Sequence, residues 1–146
     1  MPIQLTDQMR TWLDAALADG ATCLVGTATK DGHPQISPKG SVGVFDETRL
    51  FYWERALKSA KDNVGQNPHV MVYFRNPGRS AEIPYPGAAI RFYGDARIVS
   101  SGPEFDRAWE LTIPAEKQRD PDKKGVGVII DLTKVEQLNG TAIMSK

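Results

Sequence analysis

The chain has little of what marks several common protein classes. It contains one cysteine, Cys23, so no disulfide can form within it. Cys23 lies in the apolar run Cys23-Leu24-Val25, where a buried and inert thiol is expected. Only two histidines are present, His33 and His69, and neither has a partner at metal-ligand spacing, which argues against a zinc site. No run of about 18 apolar residues occurs, so no membrane-spanning helix is expected. The opening Met-Pro-Ile-Gln-Leu-Thr-Asp lacks the basic and then apolar regions of a secretory signal, which makes a cytoplasmic location the expectation. Formal net charge is zero. That weighs against general nucleic-acid binding, which wants a basic face, but it leaves room for a local basic pocket.

What is present fits one domain over residues 1–146. Hydrophobic residues make up 40% and charged residues 25%, enough for a real core without cross-links. No repeat, low-complexity tract or linker divides the chain.

Thr6 can cap a first helix, with Asp7 in its first turn and Met9, Trp12, Leu13, Ala16 and Leu17 forming one apolar stripe up to Gly20. Residues 22–29 read as a strand. Lys30-Asp31-Gly32-His33 reads as a hairpin turn, because Asp-Gly supplies positive φ angles. A second strand over residues 34–37 is expected to break at Pro38-Lys39-Gly40 and resume as an extended segment over 41–45. Residues 49–54 form a strong strand. A short helix then starts near Ser59, a plausible N-cap, and stops at Asn67-Pro68. A strand over 69–74, a long Pro- and Gly-rich loop over 76–87 and a long strand over 88–99 follow. Gly94 suggests a bulge in that last strand. Pro103 opens another helix, and residues 126–132 form a final strand that extends to Leu138 beyond a kink at Thr133. This order suits a mainly β (α+β) domain: an antiparallel barrel of six or seven strands with peripheral helices.

Three clusters carry chemistry. In Glu54-Arg55-Ala56-Leu57-Lys58-Ser59-Ala60-Lys61-Asp62-Asn63, three cations and a hydroxyl precede or open a helix. Free N–H groups at a helix start, with two lysines beside them, suit a phosphate monoester. On spacing alone the plainer reading, a capped surface helix with solvated lysines, has the better claim. Ser37-Pro38-Lys39-Gly40-Ser41 places a lysine between hydroxyls and can face an anion or simply guard a sheet edge. Tyr52-Trp53-Glu54, just upstream of the cationic segment, can flank a planar ring or pack in the core.

The order of Gly26-Thr27-Ala28-Thr29-Lys30-Asp31-Gly32-His33-Pro34, Ser37-Pro38-Lys39-Gly40-Ser41, Leu50-Phe51-Tyr52-Trp53, Lys58-Ser59-Ala60-Lys61-Asp62-Asn63-Val64, Asn67-Pro68 and Ile90-Arg91-Phe92-Tyr93-Gly94-Asp95-Ala96 resembles the pyridoxamine 5′-phosphate oxidase-like family of FMN-binding split barrels. The resemblance spans nearly the whole chain and implies an antiparallel split β-barrel, bound FMN and a homodimer with the cofactor at the subunit interface. It also implies site residues. Lys58, Ser59 and Lys61 match the phosphate-binding positions, and Asn63 a recurrent helix asparagine. Ser37, Pro38, Lys39 and Ser41 match the strand beside the flavin, and Tyr52 and Trp53 the strand end next to it. Trp109 is a candidate to cover the ring from the partner.

True pyridoxamine 5′-phosphate oxidases are longer and end in an Arg-rich stretch closing on Glu-Phe-Trp. This chain ends in Asn139-Gly140-Thr141-Ala142-Ile143-Met144-Ser145-Lys146, so oxidation of vitamin B6 is not expected. The expected function is that of an FMN-dependent oxidoreductase using a small-molecule substrate or electron donor, with catalytic residues unassigned. The alternatives are a non-catalytic electron carrier and a related barrel holding a deazaflavin. Haem has least support.

Overall fold

The computed structural model describes residues 1–146. Helix α1 (Asp7–Ala15) forms where the apolar stripe predicts it. The Thr6 hydroxyl accepts the Met9 N–H at 3.1 Å, and Met9, Trp12 and Leu13 are buried. The regular helix stops at Ala15, and turns carry the chain to Gly20, whose φ of 73° reverses it.

Strands β1 (Cys23–Ala28) and β2 (Pro34–Lys39) form the first hairpin. In its turn Gly32 alone takes positive φ, at 89°, rather than Asp31 and Gly32 together. Strand β2 runs on through Pro38 instead of breaking there. It has only β1 as a neighbour, so a missing N–H is tolerated at this sheet edge. After Ser41 only β3 (Gly43–Val44) is extended. It is followed by β4 (Arg49–Glu54), α2 (Ser59–Gln66), β5 (His69–Arg75), β6 (Ala89–Val99), α3 (Pro103–Leu111), α4 (Pro114–Lys117), β7 (Val126–Gln137) and β8 (Ala142–Ser145).

All pairings are antiparallel, and the eight strands run β2-β1-β5-β6-β7-β4-β3, with β8 on β7. The count exceeds the six or seven expected. The two-residue β3 and the late β8 are too short to announce themselves in the sequence. Val25 of β1 and Val44 of β3, near opposite ends of this path, share one apolar cluster with Leu50, Tyr52, Val72, Phe92 and Ile130. The sheet therefore curls around a single core, as a split barrel does. Helix α1 packs against that core. Cys23 is buried there, and burial pushes its thiol up to about 12.

The kink at Thr133 is a bulge: Tyr93 pairs with Lys134 and Gly94 with Leu132, which leaves Thr133 unmatched. Gly94 sits against the β7 backbone, where a Cβ would strike the Asp131 carbonyl and approach Ile130 Cγ2 at 2.8 Å.

The long loop after β5 is a packed strap. Ile83 enters the core, and Asp19, in the turns that follow α1, accepts from Asn76 Nδ2 at 2.9 Å and Arg79 Nε at 2.6 Å. A second apolar cluster, Phe45, Phe51, Trp53, Ala108 and Ile129, lies between the outer face of β4–β7 and α3. Pro103 starts α3 after Gly102, whose φ is 92°. Glu104 ties α3 to the sheet through Arg97, at 2.5 and 2.6 Å, and through Arg49 at 2.8 Å. No helix is long and apolar enough to cross a membrane.

Gly94→Ala should lower stability by about 1–3 kcal/mol, read as a fall in the urea midpoint at unchanged slope. The guanidinium of Arg97, followed by that of Arg49, holds Glu104 down to about 2 from its ordinary 4.5. A depressed carboxylate contributes stability that is complete above its unfolded value and disappears as pH falls through its folded one. The unfolding midpoint should therefore drop between pH 4.5 and about 2. Glu104→Gln should flatten that slope, and an unchanged slope would place its origin elsewhere.

Candidate functional site

Strand β4 is covered on both faces. Leu50 and Tyr52 point into the barrel, while Phe51 and Trp53 point outward to α3. At its end Glu54 meets Lys39 from β2, with Nζ 2.8 Å from Oε1 and side-chain exposures of 12% for Lys39 and 1% for Glu54. Strands β2 and β4 are not neighbours in the sheet, so this ion pair bridges the open seam of the barrel. Ser41 reinforces the seam. Its hydroxyl accepts the Trp53 N–H at 2.9 Å and donates to the Trp53 carbonyl at 3.0 Å.

Beyond Glu54 the chain leaves the sheet and runs through exposed residues 55–58 to α2. Ser59 is the first residue of α2, not its cap. Lys58 holds the cap position and makes no side-chain capping bond. Ser59 Oγ instead accepts from Gln35 Nε2 at 3.2 Å. No side chain of the protein therefore caps the leading N–H groups of α2, and they carry the helix's positive end. Arg55, Lys58 and Lys61 have no carboxylate partner.

The inner face of β2 links these features. Gln35, Ser37 and Lys39 alternate with the more exposed Pro34, Ile36 and Pro38, and they pair in register with Thr27, Val25 and Cys23, which are buried. Asn63 of α2 donates to Thr27 Oγ1 at 3.2 Å and Gln35 Oε1 at 3.4 Å. The segment between β4 and α2 is thus tied to β2 at Lys39 and again at Gln35, about 13 Å apart along the strand. Asn67 fixes the far end of the helix, donating to the Thr29 carbonyl at 3.0 Å and accepting the His69 N–H at 3.1 Å.

The structure brings Ser37, Lys39, Ser59 and Asn63 to one polar row, with Lys58 and Lys61 at its α2 end. Pro38 lies on the opposite, exposed face of β2. The Ser41 hydroxyl is engaged by the Trp53 backbone. Tyr52 is wholly inside the core, where burial, and then the Glu54 charge, raise its phenol well above the ordinary value. Trp53 contacts Trp109 edge-on, with ring centroids 4.9 Å apart, and its Nε1 donates to Asp120 Oδ2 at 2.8 Å. Asp120 also accepts from the backbone of Lys124 at 3.0 Å and Gly125 at 2.8 Å. Burial works to raise its carboxyl, but those donors and the Arg55 charge outweigh it, and the net shift is downward. Sequence reasoning missed Gln35 and Thr27, and it placed Glu54 in two of its clusters without giving it a role. Strand alternation from Ser37 and Lys39 could have found Gln35. The partner of Glu54, Lys39, follows from the β3–β4 pairing, which runs on from Gly43 opposite Phe51 to Ser41 beside Trp53.

The strap over residues 76–88 lies at the opposite end of β5 from α2, about 20 Å away along seven residues. Within one chain it does not reach the row.

The family model for pyridoxamine 5′-phosphate oxidase matches residues 5–139. The chain belongs to that family. No curated protein matches this sequence. Among solved structures, HupZ of Group A Streptococcus aligns at 21% identity and TM-score 0.71, covering 94% of this chain and 97% of its own. An FMN-binding protein of Syntrophomonas wolfei aligns at 11% identity and TM-score 0.67, covering 90% and 84%. An F420 reductase aligns at 16% identity and TM-score 0.59, covering 90% and 98%. At these identities the likeness is one of fold.

Removing one partner of the seam pair strands a buried charge. Lys39→Ala should lose about 3–5 kcal/mol of stability in urea unfolding. The double change Lys39→Met with Glu54→Gln should recover a clear part of that loss. Equal losses for single and double variants would show that the pair is not coupled.

Proposed function

We propose that this member of the family binds FMN and acts as an oxidoreductase on a small molecule. The observation that carries this reading is the start of α2. A helix N-terminus left without a side-chain cap, flanked by the unpaired Lys58 and Lys61, offers N–H donors and positive charge to a phosphate monoester. Ser59 adds a hydroxyl. The row Ser37 and Lys39, with Asn63 above it, leads away from that anion site, which suits an elongated phosphate ester rather than a free ion. Because Lys39 is neutralised by Glu54, the charge left to attract an anion lies at the α2 end.

When bound, FMN supplies hydride and electron transfer through its ring. This chain's own residues then bind and orient. The start of α2 anchors the phosphate, Gln35 and Asn63 hold the helix on β1 and β2, and the seam pair sets where the 55–58 segment leaves the barrel. No residue is assigned a proton. A deazaflavin carrying a phosphate would use the same anchor, so cofactor identity rests on extraction and mass measurement.

We also propose a homodimer. Supporting it is the outer face of β2-β1-β5, where Ile36 is 67% exposed and a shallow apolar groove of about 330 Å³ runs past Gly26, Ala28 and Met71.

The purified protein should be yellow or become so with added FMN. Replacing Lys58 and Lys61 together by Ala should weaken FMN about a hundredfold or more, at about 1.5–3 kcal/mol for each charged contact, and leave riboflavin nearly unchanged. Equal losses for both ligands would remove the phosphate from this helix start. Anaerobic bleaching by NADH or NADPH separates an enzyme from a passive carrier.

A further inference from the structure

Three buried side-chain oxygens in the protein lack any hydrogen-bond partner: the Tyr52 hydroxyl, Glu54 Oε2 and Glu116 Oε2. Tyr52 is enclosed by the core. The two glutamates, by contrast, line the same cleft of about 90 Å³, at the Lys39 end of the polar row. They arrive from unrelated elements. Glu54 ends β4, and Glu116 lies on the four-residue α4, in the connection between α3 and β7. Gly40 makes the approach possible, since a Cβ there would lie 3.2 Å from the Glu116 carboxyl carbon.

The cleft has an excess of acceptors. Lys39 satisfies only Oε1 of Glu54. Arg119 Nε stands 3.5 Å from Glu116 Oε2, outside hydrogen-bonding geometry, on a side chain that is 57% exposed. Arg55 lines the cleft but is exposed and bonds to neither carboxylate. A buried carboxylate oxygen without a donor is costly to keep, and two facing one space call for a group that brings several N–H donors and positive charge.

We propose that this cleft is a binding site for a small organic cation with several N–H donors, of the alkylguanidinium type. A planar guanidinium can donate to two carboxylates at once, whereas an anion would meet both glutamates. The site stands on Glu54, Glu116 and Gly40 and does not depend on which cofactor occupies the row.

The test is an amide-resonance titration of the full-length protein with methylguanidinium chloride, beside tetramethylammonium chloride at equal ionic strength. Methylguanidinium should give saturable shifts at Gly40, Ser41, Glu54 and Arg55, while tetramethylammonium, a cation without donors, gives none. Glu116→Gln should weaken the effect about tenfold, with the rest of the spectrum unchanged as proof of folding. No saturable shift, the same shift from both cations, or full affinity in the folded Glu116→Gln protein would each overturn the proposal. The two-cation comparison decides the matter even if that variant does not fold. FMN and riboflavin affinities play no part in this test, so either proposal can fail while the other stands.

Discussion

A buried ion pair fixes the geometry at the seam of this barrel. Hydrogen bonds run without interruption from β2 through β1, β5, β6 and β7 to β4 and β3, and the two free ends of that ladder, β2 and β3, are joined by the chain at residues 40–42. At that link Lys39 and Glu54 pair across 2.8 Å, with Ser41 bonded to the Trp53 backbone beside them. Such a pair adds little net stability, because desolvating two charges offsets most of their attraction. Its effect is on geometry: a charge buried to 1% exposure tolerates only an arrangement in which its partner is present.

The consequences run outward from that seam. Once Glu54 is fixed, the 55–58 segment must leave beside the inner face of β2, and α2 must begin within reach of Gln35. Lys58 then falls at the cap position with no capping bond, and Ser59 turns to Gln35. The feature that makes the helix start receptive to an anion is thus set by packing on β1 and β2, through Asn63 and Thr27. The same seam leaves Glu54 with a second, unpartnered oxygen, and Glu54 and Glu116 line one cleft. One ion pair thereby separates an electropositive end of the polar row from an acceptor-rich end.

Much of the fold was legible because its signals are local. The Thr6 cap and the stripe at Met9, Trp12 and Leu13 predict α1, and Gly94 and Thr133 mark the place where β6 and β7 slip register. Alternation and turn residues act over a few positions and need no partner. Where reading failed, the deciding contact was distant. Pro38 looked like a strand breaker, yet β2 is an edge and tolerates it. Tyr52 and Trp53 looked alike as neighbours of a ring, but adjacent residues on a strand face opposite ways. One fills the core and the other packs against α3.

By itself the sequence determined an antiparallel barrel with peripheral helices, the family, and the basic segment Lys58-Ser59-Ala60-Lys61, since each is written in periodicity, turn chemistry or ordered motifs. Only the tertiary structure decided how those lysines meet a helix start free of capping, which hydroxyls are already engaged, and that Lys39 faces Glu54. Lys39 and Glu54 meet because the antiparallel pairing of Gly43 with Phe51 runs on to Ser41 and Trp53, which brings the end of β2 to the end of β4.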